Sequence, residues 1–274
     1  MKTVLLIASD GIWALIHQRL LVGLMLASLA LTIAFSFVLK SARENVTESF
    51  SEDRVAADMY KGKGNERMSE SDRRKLREQM GSISSVVQAA FYEVTALGGS
   101  FVALFIFSTA VASEIRRGTI RLTLSKPVSR TQFLLGKYLG GVAVMAGYAL
   151  IMSAAIFAFA QSQSVALNPA IKWSPWLMFC EQLMLGSLAL LLSLFMHPLI
   201  ASILAFFAGN GFYAPPNPLY FILPSYSDFG VFFDVLEGRL VDWKDVALLS
   251  LYAFDFVAIM LLLAIWRFRT KELV

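Results

Sequence analysis

Long apolar runs alternating with polar, charged stretches dominate this chain. A helix rises 1.5 Å per residue, so about 20 apolar residues cover the hydrocarbon of a bilayer. Five runs meet that length, at about 20–39, 92–112, 139–160, 176–196 and 246–266. A shorter run starts after Pro198, continues to about Phe212 and is broken at Gly209 and Gly211; it is read as the fifth of six spans. A second short apolar piece, 219–223, lies between the proline-rich stretch 213–218 and Pro224. It is too short to cross. It reads as a re-entrant or interfacial helix shielded by protein, the alternative being an apolar surface loop. Gly140, Gly141 and Gly147 in the third span allow close helix contact.

The first 19 residues form a separate unit. Val4, Leu5, Ala8, Ile12, Leu15 and Ile16 recur at helical spacing, while Ser9, Asp10, His17, Gln18 and Arg19 take other faces. That pattern predicts an amphipathic helix lying in the membrane interface. Asp10 interrupts the apolar core and no small-x-small cleavage site follows, which argues against a secretory signal. Residues 40–79 are the one extended polar region, with ten bases against nine acids. Within it, 69–80 begins with a cap-type Ser69 and acids and carries bases later, so it reads as a surface helix. Lys61-Gly-Lys-Gly-Asn65 reads as a flexible tip. The expected architecture is therefore an all-α integral membrane protein. An interfacial helix at 1–19 precedes a six-span domain at 20–274, with an extracytoplasmic loop at 40–84 and an extracytoplasmic or re-entrant segment at 213–245.

Composition agrees. The chain of 274 residues is 57% hydrophobic and 16% charged, against about 25% charged for a soluble domain. Its mean hydropathy is +0.63. The net charge is only +4 and the bases sit beside apolar spans, so nucleic acid is not an expected partner. One cysteine, Cys180, excludes an internal disulfide and a cysteine metal cluster. The two histidines, His17 and His197, form no metal motif, and no nucleophile elbow or phosphate-binding Gly-x-x-x-x-Gly-Lys-Ser/Thr occurs. No catalytic, cofactor or metal residue is assigned.

Charge also orients the chain. The loop 113–138 carries Arg116, Arg117, Arg121, Lys126, Arg130 and Lys137 against Glu114 alone. The tail adds Arg267, Arg269 and Lys271 against Glu272, whereas 219–245 has two bases and five acids. Short basic loops face the cytoplasm, so both termini are expected inside. The balanced loop 40–79 then lies outside, where long segments obey the rule weakly.

The basic loop has internal order that topology does not require. Gly118 permits a turn, 120–124 suits a short helix, Pro127 stops it, and Ser129 is placed to cap the next helix near Thr131. Glu114, Gly118-Thr119, Leu122, Leu124-Ser125, Pro127-Val128-Ser129-Arg130 and the Leu-Gly-Lys ending at Lys137 together resemble the cytoplasmic loop of type-2 ABC exporter permeases. Thr123-Leu124-Ser125 stands where that family usually has Leu-Leu-Ser. The stretch Ile222-Leu-Pro-Ser-Tyr-Ser-Asp-Phe229 is similar to the family's Leu-Pro-x-x-x-x-Phe segment before the last span. The resemblance implies that 113–138 holds a coupling helix that docks on a separate nucleotide-binding ATPase subunit. It implies that ATP and Mg bind to that subunit rather than to this chain, and that a second permease copy or a paralogue completes the transporter in a bacterial inner (cytoplasmic) membrane. An extracytoplasmic protein is a further candidate partner. A secondary transporter and a non-transport membrane scaffold are the competing readings. Glu114 either orients Arg130 or Arg117 through an ion pair or is an interfacial acid. Arg116, Arg117 and Lys126 fit a plain topology role, and His197-Pro198 reads as a turn, the alternative being a minor second contact with the ATPase subunit.

Charges inside spans cost about 2.5–3.5 kcal/mol at the centre. Asp255, near the middle of the sixth span, therefore marks either a substrate contact or a hydrogen bond to a neighbouring helix. Glu181 in the fourth span and Glu93 at the start of the second are expected nearer the interface; Glu181 joins Asp255 as an intramembrane functional candidate.

Overall fold

A computed structural model describes residues 2–49, 70–118, 128–162, 172–209, 225–230 and 241–270. Those residues are helical or in short connections, and no strand occurs among them. The helices are α1 (Lys2–Ile16), α2 (Arg19–Ser49), α3 (Glu70–Ala110), α4 (Ala112–Arg117), α5 (Arg130–Ser162), α6 (Ser174–Ser193), α7 (Pro198–Gly209) and α8 (Trp243–Thr270), with a 3-10 turn at Ser227–Phe229 before the last. Five of them, α2, α3, α5, α6 and α8, contain stretches long and apolar enough to cross a membrane; α1 and α7 hold shorter apolar stretches. The protein is an all-α membrane protein. The run expected as the fifth span is helical over the 12 residues of α7, and its end at 210–212 lies outside the described residues, as do 219–223 and the tip at 61–65.

Local chemistry sets several boundaries. Pro175 sits in the first turn of α6, where its missing N–H costs nothing, and Pro198 opens α7 after the connection at His197. Ser129 caps α5 reciprocally. Its Oγ accepts the Gln132 N–H at 3.2 Å, and its own N–H donates to Gln132 Oε1 at 3.1 Å. Two helices run longer than their apolar cores. The α2 helix continues past 39 into the polar region, and the surface helix expected at 69–80 is the leading part of α3. Nucleating a new helix is costly and extending one is not. Only Gly81 weakens the junction, at about 1 kcal/mol.

The centre of the bundle is α6, which packs against α3, α5, α7 and α8 and is buried nearly all round. Phe107 of α3 is fully buried in a notch made by two glycines. A Cβ at Gly186 of α6 would lie 2.1 Å from its ring, and one at Gly141 of α5 would lie 2.7 Å away. Gly147, expected to serve the same purpose, has open space at its Cα. Several buried hydroxyls are satisfied within the bundle, as a membrane interior demands. Ser28 and Tyr148 share a 2.5 Å hydrogen bond between α2 and α5, and Thr95 and Ser100 bond back one turn along α3.

The α1 helix does not present one apolar face to lipid. Ile7, Ala8 and Leu15 are buried, whereas Leu5, Leu6, Trp13 and Ile16 are exposed. The buried side lies on α5, where Gly136 and Gly140 open a groove one turn apart. Their Cβ positions fall 2.7 Å from Ile7 Cβ and 2.9 Å from the Ala8 carbonyl oxygen. So α1 is packed on protein along one side and exposed along the other.

Candidate functional site at the basic end of the bundle

The break between α3 and α4, the start of α5, the α6–α7 connection and the end of α8 meet at one end of the bundle. The α4 helix is six residues long and ends at Gly118, whose φ of 70° lies in the left-handed region and whose N–H bonds to the Ile115 carbonyl. Only glycine adopts that conformation without a steric penalty.

Three cross-links tie these elements together. Glu114 forms an ion pair with Lys137 of α5, and both side chains are mostly buried. The Lys137 ammonium also lies 5.8 Å from the centre of the Phe133 ring, which stacks on Phe268 of α8 at 6.0 Å. The Arg130 guanidinium donates to the Phe268 and Arg269 carbonyls at 3.2 and 3.1 Å. Those carbonyls belong to the last turn of α8, which has no intrahelical donors of its own and carries the negative end of the helix dipole. Arg269 returns a bond from Nε to Thr131 Oγ1 at 3.1 Å. The third link joins Arg116 Nη1 to His197 Nε2 at 2.7 Å, with the arginine as donor and the imidazole nitrogen as acceptor.

Of the residues singled out in the basic loop, Glu114, Gly118, Val128, Ser129 and Arg130 are described and are drawn to this end; Val128 packs on the core. Thr119, Leu122, Leu124, Ser125 and Pro127 lie outside the described residues. The structure pairs Glu114 with Lys137, a residue the sequence placed in a motif without assigning it a partner. Arg116 and His197, read as a topology charge and a plain turn, bond each other. Their separation of 81 residues hides the contact in the sequence.

Beside this end lies an open apolar groove of about 600 Å³, lined by Leu24 of α2, Phe101 and Phe105 of α3, and Ile203 and Phe206 of α7. Arg116 and His197 also border it. Ser202 of α7 reaches across to Ser108 of α3 at 2.9 Å, which uses up polarity in the lining. Glu181 and Asp255 take no part in either feature. Glu181 is half-buried on α6, and Asp255 is exposed on α8 beside the outward-facing Leu251, Phe254 and Leu262.

The family model for "ABC-2 family transporter protein" matches residues 54–273, most of the chain. The chain belongs to the ABC-2 transporter family. It is a multi-pass membrane permease component of an ABC transporter, a transmembrane rather than a catalytic subunit. The family match includes α3 to α8 and the whole basic end, while α1 and α2 precede it. No curated protein matches the chain.

Proposed function

We propose that this permease couples ATP hydrolysis on a separate nucleotide-binding subunit to export, with the basic end as the coupling surface. ATP and Mg bind to that partner. The basic end faces the cytoplasm of a bacterial inner membrane, as the positive-inside rule requires of short charged loops. Two copies, or one copy and a paralogue, make the transporter. The observation that carries this reading is the lacing of the loop's two ends to different spans. Through Glu114–Lys137 the entry side is fixed to α5, and through Arg130 the exit side is fixed to the last turn of α8. A push on the segment between them therefore moves both helices rather than bending a loose loop. Cargo that is hydrophobic or amphipathic suits the apolar groove beside the coupling surface.

Affinity purification of the tagged full chain from its own cells tests the proposal. A protein that photolabels with azido-ATP should elute with the chain at equal stoichiometry. Replacing 118–130 with a Gly/Ser linker should abolish that association while the permease still inserts in the membrane. Retention of the ATPase by the linker variant, or no ATP-binding protein in the wild-type eluate, would refute it.

A further inference from the structure

The apolar groove between α2, α3 and α7 carries its polarity at one end only. It follows α7 from His197 to Phe206, nine residues or about 14 Å of helix. One leaflet of bilayer hydrocarbon is about 15 Å thick. At the end away from His197, Phe101 of α3 stacks on Phe206 at 5.5 Å. Leu199, Ile203 and Phe207 line the groove and are exposed, so it opens sideways. The hydroxyls along it are engaged with protein: Ser202 donates to Ser108, and Thr109 to the Phe105 carbonyl.

The other end is cationic. Among the described residues, Arg116 is the one charged side chain lining the groove. It is exposed and bonds His197 rather than a carboxylate. Glu114, two residues away, is held by Lys137 of α5. A neutral imidazole has one acceptor nitrogen. With Nε2 accepting from Arg116, Nδ1 carries the proton, and the Leu199 N–H, 3.3 Å from Nδ1, faces another donor. The guanidinium, the imidazole N–H and the Leu199 N–H thus offer hydrogens at the groove's mouth, where an oxyanion can accept them.

We propose that the groove binds one anionic phospholipid, with an acyl chain along α7 and the phosphate on Arg116, His197 and the Leu199 N–H. The groove's length matches a leaflet, its walls match a hydrocarbon chain, and its charge complements the headgroup. Basic pockets between spans hold anionic headgroups in this way. A helix from a partner or a second copy fits less well. At 10 Å across it would need about 1,100 Å³ over that length, against about 600 Å³ in the groove. The lipid would join α4, at the entry to the coupling loop, to the start of α7. The proposal deepens the reading of the groove as suited to amphipathic molecules and rests on it. It needs only the permease, so lipid binding can fail while ATPase association holds, and the reverse.

Native mass spectrometry of the purified full chain in detergent, titrated with phosphatidylglycerol or phosphatidylcholine of the same acyl chains, tests the site. Wild type should bind one phosphatidylglycerol about fivefold or more tighter than phosphatidylcholine, the effect of at least one basic side chain at an anionic headgroup. That comparison needs no variant to fold. Arg116→Gln should abolish the preference while leaving phosphatidylcholine binding in place. Ile203→Trp, which fills the groove from its exposed side, should weaken both lipids. Lys172→Gln, an exposed charge before α6, should change neither. Equal affinity for the two lipids in wild type, or an undiminished preference in a folded Arg116→Gln variant, would overturn the proposal. So would a dimer that Ile203→Trp splits and lipid does not, which would make the groove an interface between copies.

Discussion

Gly186 and Gly141 show how a single hydrogen-for-methyl exchange can matter more than a charge. Phe107 fills the space where their side chains would be, and overpacking a filled interior costs about 1–3 kcal/mol. Gly186→Ala should lower the melting temperature of the purified protein in detergent, and adding Phe107→Leu should restore part of the loss. Gly147→Ala, with open space at its Cα, should be neutral or slightly stabilising. Gln182 offers the opposite sign. It is fully buried on α6 with neither amide atom bonded, and an unmet polar group costs about 1–3 kcal/mol. Gln182→Met keeps the length and removes the unmet groups, so it should raise the melting temperature; an unchanged or lower value would show that the amide has a partner in the membrane. Asp255 lies on the outward surface of α8 among leucines, so neither an internal helix contact nor a place in the groove accounts for it.

At the scale of elements, α1 is the informative case. Its hydrophobic spacing was legible from the sequence, but the side that faces protein was not, because Gly136 and Gly140 of α5 select it from more than 120 residues away. Gly140→Ile should drive a side chain into the Ala8 backbone and release α1. Limited trypsin digestion should then cleave after Arg19 markedly faster than in the wild type, with the rest of the bundle still protected. The coupling surface is also an element-level device. Charge reversal at Glu114 (Glu114→Lys) should impair ATPase-linked activity, and Glu114→Lys combined with Lys137→Glu should recover a substantial part of it, because the exchanged pair can re-form across the α4–α5 contact. Gly118→Ala tests the turn itself. The left-handed conformation costs a residue with a Cβ roughly 1–2 kcal/mol, and no neighbouring atom stands in the way, so Gly118→Asn should be tolerated better than Gly118→Val in the same assay.

For the whole molecule, orientation is the property on which function depends. The links at the basic end join α4, α5, α8 and the α6–α7 connection on one side, while Trp176 of α6 bonds Ser250 of α8 at 2.8 Å toward the other. In a Cys180→Ala background, single cysteines at Thr270 and Lys172 should separate in intact cells. A membrane-impermeant maleimide should label Lys172→Cys and spare Thr270→Cys until the cells are opened. The reverse pattern would put the basic end outside and remove the basis for ATPase coupling.

The one-dimensional order of residues determined the membrane class, the positions of the long apolar helices, the basic loop and the cap at Ser129. Each depends on neighbours within a few turns: helix rise against bilayer thickness, charge beside a span, a serine three residues before its acceptor. Contacts between distant segments were decided only by the folded bundle. The partner of Glu114, the carbonyls held by Arg130, the bond between Arg116 and His197 and the glycine notch around Phe107 all join segments far apart in the chain. Their geometry follows from which helix faces pack together. That choice is made by shape and by the demand for internal hydrogen bonding across the whole bundle.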